Sequence, residues 1–127
     1  MAISFDTALG IHPQALAFKG LRAEVLAGNL ANVDTPGFKA RDVSFEAALK
    51  SKLKSFGKNE NHIKFNLFSS SESLQYRIPY QKSSDGNSVE LGVEQASFAK
   101  NSLDFQTSLT FLKKKLSSLE LAIRGVM

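Results

Sequence analysis

Five apolar residues near the end of the chain, Leu91, Phe98, Phe105, Leu112 and Leu119, recur at a spacing of seven. A second row, Gln95, Ser102, Leu109, Leu116 and Ile123, follows four residues behind each of them. Alternating steps of four and three are the signature of a helix whose seam packs against another helix. The spacing predicts one long helix over 91–123, with Leu91, Phe98, Phe105, Leu109, Leu112, Leu116, Leu119 and Ile123 as the apolar part of its seam. A helix of that length cannot be satisfied by a small core of its own. The rest of the chain must therefore supply a partner or a platform.

The partner is sought at the other end. Pro13 is well placed as a first helical residue, while it disfavours helical geometry at His12. The expectation is a helix from Pro13 to about Val33, with residues 4–11 as a separate short helix or a kinked extension interrupted at His12-Pro13. Many positions of this helix are small, among them Gly20, Ala23, Ala27 and Gly28. Small residues permit close helix approach, but each glycine costs an isolated helix about 1 kcal/mol relative to alanine. Asp34-Thr35-Pro36-Gly37 ends it, with proline and glycine placed for a type II turn in which Gly37 supplies positive φ.

The middle is shorter and more polar. Residues 38–42 read as extended, and Ser44 can cap a short helix from Phe45 to about Phe56. Ile63, Phe65 and Leu67 alternate with polar residues as in a strand with one buried face. Residues 69–73 form a serine-rich linker, and 74–80 form an extended segment that Pro79 confines to an edge. Ser84-Asp85-Gly86-Asn87 is a second turn. The expected fold is mainly α: long N- and C-terminal helices as an antiparallel coiled-coil-like pair, with a small irregular or β middle segment and one short helix. Residues 1–33 and 88–127 would form the helical unit and 34–87 the middle segment, all as one structural unit.

Chemical motifs are sparse. There is no cysteine, and His12 and His62 have no carboxylates at ligand spacing, which argues against a metal site. No glycine-rich phosphate loop is present, and the serines have no paired base in sequence context. Catalytic and cofactor residues are therefore not expected, nor is a small-molecule substrate. The net charge of +4 is compatible with acidic partners. Lys113, Lys114 and Lys115 form the one basic run, most simply a solvated helix face, with an acidic protein or a membrane surface as alternatives. Base-stacking aromatics are not interleaved with it, so nucleic acid is not an expected partner. A basic helical nucleic-acid-binding or adaptor protein stays as the reading from a different class. The first residues lack the basic and apolar regions of a secretory signal, and no run approaches the length needed to span a bilayer. The expectation is a cytosolic protein or one exported without a cleaved signal.

The C-terminal helix also carries Leu103, Phe111 and Leu121 off the seam. One antiparallel partner covers one stripe, so these residues are candidate contacts to neighbouring subunits. A subunit with unlike exposed faces makes head-to-tail contacts, which produce rings or open filaments. The chain reads as an assembly subunit.

The stretch from Asn29 to Phe38 (Asn-Leu-Ala-Asn-Val-Asp-Thr-Pro-Gly-Phe) resembles the Ala-Asn-x-x-Thr-x-Gly-Tyr/Phe motif of bacterial flagellar rod and hook proteins. Asn29, Ala31, Asn32, Thr35, Pro36, Gly37 and Phe38 carry it. The continuation 39–45, together with 85–89, 98–103, 109–112 and 121–125, is similar to the small proximal-rod members of that family. Phe38 stands where tyrosine is commoner, and 57–84 carries little of the resemblance. The resemblance implies an axial structural subunit of the flagellar basal body, exported by the flagellar type III apparatus and polymerised in the periplasm. The implied partners are copies of itself, other rod proteins, the MS ring with its FliE adaptor, and the export apparatus. Another small axial rod subunit, of the FlgC type, is the alternative within the family. Phe5 and Leu9 look similar to the short hydrophobic element by which the export gate recognises rod and hook subunits, and packing in the helical core is an equal reading of them. Phe38 is expected to anchor the departing chain against the helix pair.

Overall fold

The computed structural model describes residues 8–44 and 74–125. Four elements follow in order: helix α1 (His12–Ala31), strand β1 (Arg41–Val43), strand β2 (Leu74–Tyr76) and helix α2 (Leu91–Arg124). The chain is mainly helical. Phe5, the expected short helix at 45–56, the expected strand at 63–67 and the serine-rich linker lie outside the described residues.

Helix α1 has 20 residues and α2 has 34, so α2 is the longer by about 20 Å at 1.5 Å per residue. They pack antiparallel: Asn29 near the end of α1 meets Glu94 in the first turn of α2, and the His12 ring lies 6.4 Å from that of Phe111. Pro13 sits in the first turn of α1, as its missing N–H allows. The interruption before α1 falls at Gly10 and not at His12-Pro13. Ala8 and Leu9 are helical, Gly10 then takes φ +59°, and helical geometry resumes at His12. Only glycine adopts that backbone without cost, so the preceding turn ends there. Helix α2 has Glu94 in its first turn and Arg124 in its last, each suited to the helix dipole, and Gly125 follows at φ +61° as a left-handed cap.

The strands pair antiparallel, Arg41 opposite Tyr76 and Val43 opposite Leu74. Strand β1 lies against α1, and Phe18, Val25 and Val43 form a small apolar core between them. Leu26 and Ala40 are fully buried close to it in sequence. No helix among the described residues is long and apolar enough to cross a membrane.

The face that α2 turns inward differs from the seam read in the sequence. Its buried residues are Glu94 and Asn101, both at most 1% exposed. Each stands one position before a member of the second row, Gln95 and Ser102. Phe105, Leu109, Leu112 and Leu119 are half-buried, whereas Leu91, Phe98, Leu116 and Ile123 are exposed. The first turns of α2 are rotated relative to that seam. Glu94 and Asn101 have specific partners across the interface, and those partners set which side faces α1.

Candidate functional site

The family-like motif occupies the corner where α1 ends, and its asparagines close backbone groups that would otherwise be open. The Asn32 amide group donates to the Gly28 carbonyl at 2.8 Å, satisfying one of the orphan acceptors at the end of α1. Its side-chain oxygen accepts from the Thr35 hydroxyl at 3.1 Å. The Phe38 N–H then donates to the Thr35 carbonyl at 3.3 Å, closing a turn whose third residue, Gly37, has φ +73°. That is the type II geometry expected from Pro36-Gly37. Pro36 and Gly37 are exposed and Phe38 is half-buried.

Asn29 is 2% exposed and does more than cap. Its side-chain oxygen accepts from the Arg41 N–H at 3.1 Å, and its amide donates to the Arg41 carbonyl at 2.7 Å. A side-chain carboxamide thus takes the place that a neighbouring strand would occupy along β1. The same amide donates to Glu94 Oε2 at 3.1 Å, so one side chain ties α1, β1 and α2 together.

Residues 85–88 lie alongside 37–40 in the same direction and lock the corner. The Gly37 N–H donates to the Asp85 carbonyl and the Ser88 N–H to the Phe38 carbonyl, while the Ser88 hydroxyl accepts from the Ala40 N–H. The Asn87 amide donates to the carbonyls of Asn32 at 3.1 Å and Val33 at 2.7 Å, and its oxygen accepts from the Val89 N–H. The two turns read separately in the sequence are therefore one structure.

Beside them runs a line of alternating charge. The Arg22 guanidinium grips Asp42 through two 2.8 Å bonds. Arg77 donates to Asp42 Oδ2 at 2.8 Å and to Glu94 Oε1 at 2.6 Å. Burial pushes the Asp42 carboxyl up, but the hydrogen bonds from Arg22, the Val43 N–H and Arg77 outweigh it and hold it below the ordinary aspartate range. A depressed carboxylate stabilises the fold above its unfolded-chain pKa, and that contribution is lost as pH falls through the lower folded value. Thermal melting followed by circular dichroism is expected to show falling stability below about pH 4, and Asp42→Asn to flatten that slope.

Further along the helices, Asn101 donates to the Lys19 carbonyl at 2.9 Å, and Lys19 pairs with Asp104 at 2.9 Å. A buried asparagine in a helix interface costs stability and favours one register. Sequence periodicity missed Arg22, Asp42, Arg77, Glu94, Asn87 and Asn101. The available signals were the family-like stretches 39–45, 85–89 and 98–103, which contain Asp42, Asn87 and Asn101, and the repeat of Glu94 and Asn101 at a spacing of seven.

Of the residues read as candidates for assembly, Leu103, Phe111 and Leu121 are each more than half exposed, and Leu9 is half-buried. Lys113, Lys114 and Lys115 are exposed. Buried Glu94 and half-buried Asp42 are both paired with arginines, and among the described residues no three His, Cys, Asp or Glu side chains converge on a metal-sized site. The chemistry of the corner is that of a joint: it holds two helices and a strand pair at a set angle.

Comparisons with known proteins agree on one kind of molecule. A family model described as flagella basal body rod protein matches residues 14–39, which end within the corner. The chain is 48% identical over 132 aligned residues to the flagellar basal body rod protein FlgB of Aeromonas hydrophila, covering 98% of each chain. It is 39% identical over 132 residues to the protein of that name in Salmonella typhimurium, covering 94% of this chain and 95% of the other. Against the Escherichia coli protein of that name the identity is 37% over 131 residues, covering 94% of each.

Proposed function

The chain belongs to the flagellar basal body rod protein family, and from that premise we propose how it serves as a structural subunit of the rod. The subunit leaves the cytoplasm through the flagellar type III export apparatus without losing a signal segment. It then polymerises with copies of itself and with other rod proteins in the periplasm, against the MS ring and its FliE adaptor. The terminal helices form the rod core, with Leu103, Phe111 and Leu121 facing neighbouring subunits, and Phe5 with Leu9 serves the export step. The reading is supported by the end-to-end correspondence with rod proteins of matching length. It is also supported by a helix whose exposed apolar residues outnumber those it buries in the described subunit. Deleting the gene from its own bacterium is expected to abolish swimming and to leave basal bodies without rods in electron micrographs, with the full chain restoring both. Rods of normal appearance in the deletion strain would refute the proposal.

The corner motif offers a sharper test. Among the described residues, a Cβ on Gly37 would meet no atom within 4 Å beyond its chain neighbours, so the cost of Gly37→Val comes from its φ of +73° and not from a clash. Strain of that kind costs about 1–3 kcal/mol. The variant is expected to stay soluble, to melt at a lower temperature and to shrink swimming halos strongly. Gly37→Asn, which tolerates left-handed geometry, should recover much of the halo.

A further inference from the structure

One surface of the corner has no place in the contacts described so far. Strand β2 covers Leu74–Tyr76 and the chain continues without regular structure to residue 80, and over this stretch the alternate residues Leu74, Tyr76, Ile78 and Tyr80 are all exposed, the last two at 88%. Of the intervening residues Gln75 is exposed, while Arg77 and Pro79 are half-buried, Arg77 toward the joint. This reverses the usual alternation of a surface strand, which turns its apolar side inward.

The backbone of the same segment is also open on one side. In an antiparallel pair, alternate residues direct both main-chain groups toward the partner strand or away from it. Arg77 donates its N–H to the Ala40 carbonyl, so Gln75 and Arg77 address β1. Leu74, Tyr76 and Ile78 therefore address the outer edge, where no main-chain partner is found among the described residues. The two edges of this small sheet are treated differently. Asn29 closes β1 at Arg41, and nothing comparable among the described residues closes β2. An exposed apolar edge strand is a template for another strand.

Among the described residues, the charges lining the groove beside the edge are basic. The Arg41 guanidinium lies 5.4 Å from the centre of the Tyr76 ring. Lys39 and Lys82 flank a shallow groove beside Ile78 and Pro79, and no residue lining that groove is acidic. Glu72 stands two positions before the edge in sequence, and the acids that follow it are engaged with the backbone, Glu90 with the N–H groups of Tyr80 and Gln81, and Asp85 with that of Asn87. Two copies of this edge would bring like charges together. We propose that the open edge of β2 docks an extended, acidic segment of another protein, added as a further strand with its apolar side chains against Tyr76, Ile78 and Tyr80. The inference does not depend on the rod reading, because the probe is a peptide and the readout is made on the isolated chain.

The test uses a capped peptide in which glutamate alternates with valine, and a counterpart with lysine in place of glutamate. The glutamate peptide is expected to bind roughly tenfold more tightly than the lysine peptide. Hydrogen exchange read by NMR should slow at the amides of Tyr76 and Ile78 on binding and change less at Gln75 and Arg77. Ile78→Asp, at a position too exposed to affect folding, should weaken binding by a similar factor. Equal binding of the two peptides, or unchanged exchange at Tyr76 and Ile78, would overturn the proposal. So would binding to phosphatidylglycerol vesicles without binding to the peptide, since basic groups beside tyrosines also suit a lipid surface.

Discussion

Arg77→Met is expected to destabilise the subunit by about 3–5 kcal/mol, because it leaves a buried carboxylate without its counter-ion. Glu94 is fully buried, and Arg77 is its only charged partner among the described residues. The remaining hydrogen bond, from the Asn29 amide, is neutral and longer. Asp42 suffers less, since Arg22 still holds both of its oxygens. Urea unfolding followed by circular dichroism at neutral pH would measure the loss. A small domain is stable by only about 5–15 kcal/mol, so the variant sits close to unfolding. Adding Glu94→Gln should return a substantial part of the loss, because the buried charge is then gone while the Asn29 contact can persist. A loss under about 1 kcal/mol for the single variant would show that Glu94 finds another donor when Arg77 is removed.

Asn29→Ala is expected to cost about 2–4 kcal/mol, several times a typical single hydrogen bond, since it strips a partner from three groups at once. Those groups are the Arg41 N–H, the Arg41 carbonyl and Glu94 Oε2. Asn29→Asp should be worse despite its matching shape. It cannot donate to the Arg41 carbonyl, and it places a second carboxylate 3.1 Å from that of Glu94. Parallel urea titrations would order the three proteins as wild type, Ala and Asp. If Asp were as stable as wild type, the donor role assigned to the Asn29 amide would be wrong. Both substitutions act on the joint and leave the exposed faces of α2 untouched. A loss of swimming that tracks the measured loss of stability would therefore locate the defect in the joint.

Local chemistry was readable in advance wherever a residue acts on its own backbone. Pro13 in the first turn of α1, Gly37 at positive φ and the turn at 84–87 follow from constraints within a few residues. So does the span of α2, because its periodicity is long and its glycine cap is local. The break before α1 was misplaced because Gly10 inside an apolar stretch gives no sign of its φ until the next helix is docked. The rotation of α2 was unreadable for a stronger reason. A count of apolar positions assigns the interface to leucine and phenylalanine, whereas in the first turns of α2 Glu94 and Asn101 take it.

By itself, the sequence determined that two unequal helices close this chain at its ends, that a proline–glycine turn stops the first, and that the second carries more apolar surface than one partner covers. Only the tertiary structure decided which face of α2 turns inward. That choice rests on Asn29, 65 positions from Glu94, and on Lys19, 82 positions from Asn101. A buried carboxylate or amide is tolerated only beside its partner, and which residue that partner is depends on the fold and not on spacing along the chain.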